Sequence, residues 1–253
     1  MQKSALWVQC RQVAHRPSMR LFCFPHAGGG ASVFHSWHST LAPTIQVCPI
    51  LLPGRETRLS DPPYASFDSL LEALTHQLQP WIDVPFAAFG HSMGALLAFE
   101  LVRKLQEDGK PMPAWLFLSG RRAPDAPDKA PLLTPLPDGE FLEELTRRYQ
   151  GMSQEFLQEP ELMAVVLPIL RADLAVVESY SYRESRELEC PLTVFAGIED
   201  STVTYEQLLG WRRQTKARFT AQLFPGAHFY PQASMLETIS RNLSEISSER
   251  FAK

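Results

Sequence analysis

Short, unbroken apolar runs recur along this chain at residues 21–24, 47–52, 86–89, 115–118 and 192–196, and each gives out near a Gly or Pro. Continuous rather than alternating runs predict strands buried on both faces, as in a parallel sheet. Between them lie stretches of helical period. In residues 67–78 and 93–106 apolar positions recur three and four apart, as with Leu97, Leu101 and Leu105, and Gly109 supplies a stop. Strands alternating with helices predict an α/β fold whose working groups gather at the carboxyl ends of the strands.

The alternation breaks after Gly120. Residues 121–140 carry Pro124, Pro127, Pro131, Pro135 and Pro137, too many for a helix or a central strand, so this is a connector. From 138 to about 182 the pattern is helical without a strand, with apolar faces predicted at Phe141, Leu142 and Leu145, at Leu162, Val165, Val166 and Ile169, and at Leu174 and Val177. The sheet pattern resumes at Leu192. The expected organisation is a core domain of residues 1–120 and 183–253 with an inserted helical lid and its connector at 121–182.

Composition narrows the class. In 253 residues, 45% are hydrophobic and 21% charged, ordinary values for a globular protein. A net charge of −4 and no basic block argue against a nucleic-acid partner. The longest candidate for a membrane run, residues 164–170, is interrupted by Pro168, and the first twenty residues lack the apolar core of a signal peptide. A cytoplasmic monomer without membrane attachment is expected. Cys10, Cys23, Cys48 and Cys190 show neither metal-ligand spacing nor a disulfide framework. A reducing compartment fits, with Cys23 and Cys48 read as small buried apolar residues.

Gly90-His91-Ser92-Met93-Gly94 follows one predicted strand directly and opens a predicted helix. That is the setting in which GxSxG forms a tight elbow presenting a nucleophilic serine, here Ser92, at a helix N-terminus. A serine hydroxyl needs a base, and the base a carboxylate that fixes its tautomer. In this architecture the chain order is serine, acid, histidine. Of the seven histidines only His228, in Pro225-Gly226-Ala227-His228, lies well downstream of Ser92. For the acid, Gly197-Ile198-Glu199-Asp200 follows the strand at 192–196. Asp200 is preferred, with its neighbour Glu199 as the alternative and Asp173, inside the helical insertion, less well placed.

The first strand runs into Pro25-His26-Ala27-Gly28-Gly29-Gly30. The run lacks both GxGxxG spacing and a GK[ST] ending, so no cofactor is expected, nor a metal. Its backbone resembles a loop that donates one oxyanion N–H, the other coming from Met93.

With these residues in view, the chain resembles the type II thioesterases that accompany polyketide and nonribosomal peptide synthetases, related also to the thioesterase that ends fatty-acid synthesis. The resemblance runs nearly end to end and is carried by Phe24-Pro25-His26-Ala27-Gly28-Gly29, Leu52-Pro53-Gly54-Arg55-Glu56-Thr57-Arg58, Phe89-Gly90-His91-Ser92-Met93-Gly94-Ala95, Leu170-Arg171-Ala172-Asp173-Leu174, Gly197 to Asp200, and Pro225-Gly226-Ala227-His228-Phe229-Tyr230. It implies an α/β-hydrolase fold with a helical lid, Ser92, Asp200 and His228 as catalytic residues, and Ala27 with Met93 as oxyanion donors, Gly28 being the fallback. One departure is that Ala227 stands where the family usually has glycine, which matters only if the position needs a positive φ. Gly54-Arg55-Glu56-Thr57-Arg58 is expected to orient the entrance near the site or, equally, to form a structural ion pair or a solvated charged loop, and Arg171 and Asp173 to anchor the insertion. The resemblance further implies hydrolysis of short or aberrant acyl groups from the phosphopantetheine thiol of carrier domains. A general carboxylesterase, an acyltransferase or chain-releasing enzyme, and a non-catalytic carrier-binding module are the rival functions.

Overall fold

The computed structural model describes residues 4–10, 17–41, 45–127, 130–150 and 159–251. Six strands form one entirely parallel sheet: β1 (Met19–Phe24), β2 (Ile45–Pro49), β3 (Phe86–His91), β4 (Leu116–Ser119), β5 (Leu192–Gly197) and β6 (Phe219–Phe224), in the order β2-β1-β3-β4-β5-β6. Strands β1 to β5 are the apolar runs, nearly all buried because helices cover both faces. Strand β6 is at an edge and only half-buried, so Thr220 and Gln222 interrupt its apolar pattern and only its end at Phe224 stands out in the sequence.

One face of the sheet carries α1 (Phe67–Leu78) and α2 (Met93–Glu107), whose Leu70, Leu74, Leu97 and Leu101 share a core with Phe22, Leu118 and Val194. The other face holds Leu21, Phe89, Phe117 and Phe195 against Trp37, Met235 and Ile239. Each fully buried Leu or Phe contributes about 1.5–3 kcal/mol relative to exposure, so these two layers supply most of the stabilisation.

β2 stops at Pro49, earlier than the run at 47–52 predicts. Ile50 pairs with Val8 in an antiparallel bridge, and Gln9 donates to the Pro49 carbonyl at 2.9 Å. This lays the N-terminal segment along β2 and joins Cys10 to Cys48 in a disulfide. The reading of Cys48 as a simple buried apolar residue is thereby corrected. The two cysteines are 38 residues apart with no motif around either, and only the bridge brings them together. Cys23 and Cys190 are free and buried.

Between β4 and β5 lie α3 (Asp138–Tyr149) and α4 (Pro160–Glu178). Leu133, Phe141, Leu145, Leu170 and Leu174 form a small core of their own, in contact with Ala27 of the loop after β1. Arg171 ties α4 to the connector, donating to Asp138 at 2.9 Å and to the Thr134 carbonyl at 3.1 Å, with its guanidinium 4.4 Å over the Phe141 ring. Glu178 accepts from the backbone N–H of Leu133 and Thr134. The expected inner face of α4 is partly wrong: Leu162 and Val165 are exposed, and the buried stripe runs through Met163, Ile169, Leu170, Asp173 and Leu174. A buried aspartate within that stripe breaks the apolar repeat, which is why hydrophobicity alone misplaces it. Among the described residues no helix is long and apolar enough to cross a membrane.

Candidate active site

At the carboxyl end of β3 the chain reverses sharply into α2. Ser92 sits in this turn at φ 55° and ψ −111°, a region costing a non-glycine residue about 1–3 kcal/mol. The flanking glycines are obligatory: a Cβ on Gly90 would fall 2.0 Å from the Gly94 carbonyl oxygen, and one on Gly94 would fall 2.1 Å from that of Phe24. The Ser92 N–H donates to the Ser119 carbonyl of β4 at 2.8 Å, holding the turn to the sheet. Its hydroxyl makes no capping bond to α2 and is left for chemistry.

The loops after β5 and β6 bring Asp200 and His228 to the same edge. His228 Nδ1 lies 2.8 Å from Asp200 Oδ2, and both side chains are buried. The other oxygen, Oδ1, accepts from the Thr202 N–H at 2.9 Å and from its hydroxyl at 2.6 Å. Burial alone would push the Asp200 carboxyl up, but the hydrogen bonds from His228 and Thr202 outweigh it and hold the group below its ordinary value. Glu199, the alternative acid, has an exposed side chain, and its N–H is bonded to the Gly226 carbonyl. With Nδ1 bound to the carboxylate, His228 Nε2 is buried and has no hydrogen-bond partner. Ala227 has no positive φ, which belongs instead to Gly226 at 117°, so the departure at that position leaves the loop unstrained.

Sequence reasoning missed the surroundings of His228. Thr202 is one such residue, though a Thr two positions after an Asp is itself a turn signal. His91 packs at 4.9 Å from the His228 ring and places Nδ1 2.8 Å from the Ser119 hydroxyl, which in turn lies 2.5 Å from the Tyr230 hydroxyl. Desolvation and the neighbouring His228 and His26 push the His91 pKa well down. Tyr149 of α3 sets its ring edge against His228, 5.0 Å away. These contacts join residues from separate elements, and no local pattern announces them.

A buried ion pair shapes the loop after β1. Arg55 donates to both oxygens of Asp173 at 2.7 Å and to the Gly29 carbonyl at 2.9 Å, while Asp173 Oδ2 also accepts from the Gly28 N–H at 2.7 Å. Of the alternatives for Arg55, the structural ion pair is therefore the one observed. Asp173 does anchor α4, and it does so to this loop. Arg58 is likewise buried, donating to the Leu51 carbonyl at 3.0 Å and lying 4.5 Å over the Trp7 ring. The Gly28 N–H, the fallback oxyanion donor, is thus occupied by Asp173, and Ala27 lines the same cavity as Ser92. Asp173→Asn is expected to strand a buried guanidinium, lowering stability by about 3–5 kcal/mol and, by releasing the Gly28 turn, kcat as well. Melting curves and thioester hydrolysis rates check this; parental values for both would show the pair to be dispensable.

Ser92, His228, Ala27 and Met93 line one cavity of about 90 Å³ whose remaining walls include Leu145, Leu170 and Leu174 of the inserted helices. Among the described residues no group of His, Cys, Asp or Glu is arranged to hold a metal ion. A serine hydroxyl at a helix N-terminus, sharing an apolar-walled cavity with a carboxylate-bound imidazole, is an arrangement that can support acyl transfer.

The Thioesterase domain family matches residues 19–246. The gramicidin S biosynthesis protein GrsT of Aneurinibacillus migulanus is 42% identical over 92% of this chain and 91% of its own, and thioesterase PikA5 of Streptomyces venezuelae is 39% identical over 90% and 80%. The solved structure of the type II thioesterase BorB from the borrelidin biosynthetic cluster superposes with a TM-score of 0.83 at 33% identity, covering 94% of this chain and 97% of that one. With the α/β-hydrolase sheet, the serine elbow and these relatives agreeing over nearly the whole length, the chain belongs to the thioesterase family, as a serine hydrolase of the type II kind found with polyketide and nonribosomal peptide synthetases.

Proposed function

We propose that this enzyme removes acyl groups from the phosphopantetheine thiol of carrier domains in a two-step reaction. His228 Nε2 takes the proton of Ser92 as its oxygen attacks the thioester carbonyl, and Asp200 steadies the resulting imidazolium through Nδ1. The N–H groups of Met93 and Ala27 receive the oxyanion. The carbon–sulfur bond then breaks, and the thiol leaves with the proton from His228. In the second step His228 deprotonates water, which attacks the acyl-serine ester; collapse returns the proton to Ser92 and releases the free acid. A thiol of pKa near 8.5 leaves easily, so the demand on His228 as an acid is mild.

The observation that best supports this reading is the strained Ser92 at the N-terminus of α2, opening on the same apolar cavity as an imidazole whose Nδ1 is held by a buried carboxylate. The inserted helices α3 and α4 would act as a lid, since their Leu145, Leu170 and Leu174 form the wall above the serine.

A carrier-borne acyl group brings binding energy from surfaces remote from the reacting bond, and such energy can raise turnover as well as lower KM. Hydrolysis is therefore expected to show at least about a tenfold higher kcat/KM on a carrier protein than for the same acyl group on N-acetylcysteamine. With a chain of net charge −4, raising salt is expected to change that preference only modestly. Equal values for the two would refute carrier-directed action, and faster cleavage of oxygen esters than of thioesters would favour a general carboxylesterase.

A further inference from the structure

His228 has to be placed twice, once against Asp200 and once against Ser92, and the loop that carries it is anchored on both sides. Before His228, the Gly226 carbonyl accepts from the Glu199 N–H at 3.0 Å, and the Ala227 carbonyl oxygen passes so close to Gly197 that a Cβ there would stand 2.1 Å from it. These contacts bind the loop to the end of β5, next to Asp200. After His228 the chain reaches Tyr230, whose buried ring stacks on Phe224 at 5.5 Å and whose hydroxyl lies 2.5 Å from Ser119 Oγ. Met235 Sδ, a weak acceptor, is 3.4 Å from the same hydroxyl, so Ser119 is its principal partner.

Ser119 ends β4 and serves both sides of the site. Its carbonyl accepts from the Ser92 N–H at 2.8 Å, while its hydroxyl meets Tyr230 Oη and, at 2.8 Å, His91 Nδ1. One residue thus links the serine turn to the loop of His228. His91 directly precedes Ser92, so its ring is set with that turn, and it packs 4.9 Å from the His228 ring. Both rings close over Gly120, where a Cβ would fall 2.7 Å from His91 Cε1 and 3.2 Å from His228 Cε1. Ser119, His91 and Tyr230 do not line the cavity that holds Ser92, so any influence they have on the reaction passes through His228 or the serine turn. Such influence can be large, since a misplacement of about 1 Å can cost on the order of a hundredfold in rate.

We propose that the Ser119–Tyr230 hydrogen bond, with the His91 ring beside it, is a clamp that sets His228 against Ser92, and that Ser119, His91 and Tyr230 are positioning residues for proton transfer from the serine. The anchor at Gly226 and Gly197 sets His228 against Asp200 instead. The inference rests on the serine mechanism proposed above and divides the placement of its base between two separate anchors.

Tyr230→Phe removes the hydroxyl and keeps the ring, and Ser119→Ala removes the hydroxyl and keeps the carbonyl that holds Ser92. Each is expected to lower kcat on an acyl-N-acetylcysteamine thioester by about tenfold or more with KM within about twofold, because proton transfer and not binding loses its geometry. Fluorophosphonate labelling at Ser92 should slow in the same proportion, since it draws on the same serine and base. The low-field proton resonance of the His228–Asp200 hydrogen bond should keep the parent's position, which a general loosening of the site would not allow. The two substitutions break one contact, so the double variant should be no slower than the slower single one. A kcat within about twofold of the parent in both variants, additive losses, or a shifted or missing low-field resonance would each overturn the clamp. So would a raised KM at unchanged kcat, since Tyr230 would then serve binding. Failure of the serine mechanism reads differently: the parent itself would escape labelling at Ser92, and the clamp would fall with it.

Discussion

Ser92→Ala is expected to retain the fold and to lose nearly all thioester hydrolysis, with kcat falling by about 10⁶, as when the nucleophile of a serine hydrolase is removed. What remains, on the order of 10³–10⁴ over the uncatalysed reaction, comes from substrate binding and the N–H groups of Met93 and Ala27. The fold should tolerate the change because the Ser92 hydroxyl caps no helix and its structural tie is the backbone bond to the Ser119 carbonyl, which alanine keeps. The positive φ is equally strained for either residue, so the melting temperature should move little. A fluorophosphonate probe should label the parent at Ser92 and leave the variant unlabelled. Turnover within tenfold of the parent by a pure sample of the variant would remove Ser92 from the mechanism.

Much of this site is legible in the sequence because its chemistry is tied to local backbone geometry. The serine elbow needs two glycines at fixed offsets, so Gly90 and Gly94 mark it, and the strand and helix on either side are among the strongest apolar patterns in the chain. Asp200 and His228 follow from chain order and from strand ends. Asp173 belongs to the same neighbourhood, yet no local pattern shows what it anchors to: its partners Arg55 and Gly28 lie more than a hundred residues upstream. The same holds for Cys10 and Cys48, and for the Ser119–Tyr230 contact beside His91. Local rules reveal what a residue does to its own backbone, whereas burial of a polar group depends on which distant segment arrives to satisfy it.

Asp200→Asn is expected to lower kcat by about 10⁴, while Glu199→Gln changes it by less than a few-fold. An amide at this position can donate to His228 Nδ1, which stabilises the tautomer carrying the proton on Nε2, the nitrogen that must accept from Ser92. It also removes the negative charge that balances the imidazolium as the serine attacks. Thr202 strengthens the distinction, because its N–H and hydroxyl hold Oδ1 and thereby turn Oδ2 toward His228, whereas nothing comparable orients the exposed Glu199. A folding signature accompanies the kinetic one. Since the Asp200 carboxyl is held below its ordinary value in the folded protein, it contributes stability that is present above the unfolded value of about 3.9 and is lost as pH falls through the lower folded value. Asparagine cannot titrate, so the variant should lose less stability than the parent on acidification through that range. Urea midpoints from pH 7 down to pH 3 and kcat at neutral pH measure both effects on the same samples. A larger kinetic loss in Glu199→Gln than in Asp200→Asn would transfer the role of acid to Glu199, and an unchanged kcat in Asp200→Asn would show that His228 works without a carboxylate partner.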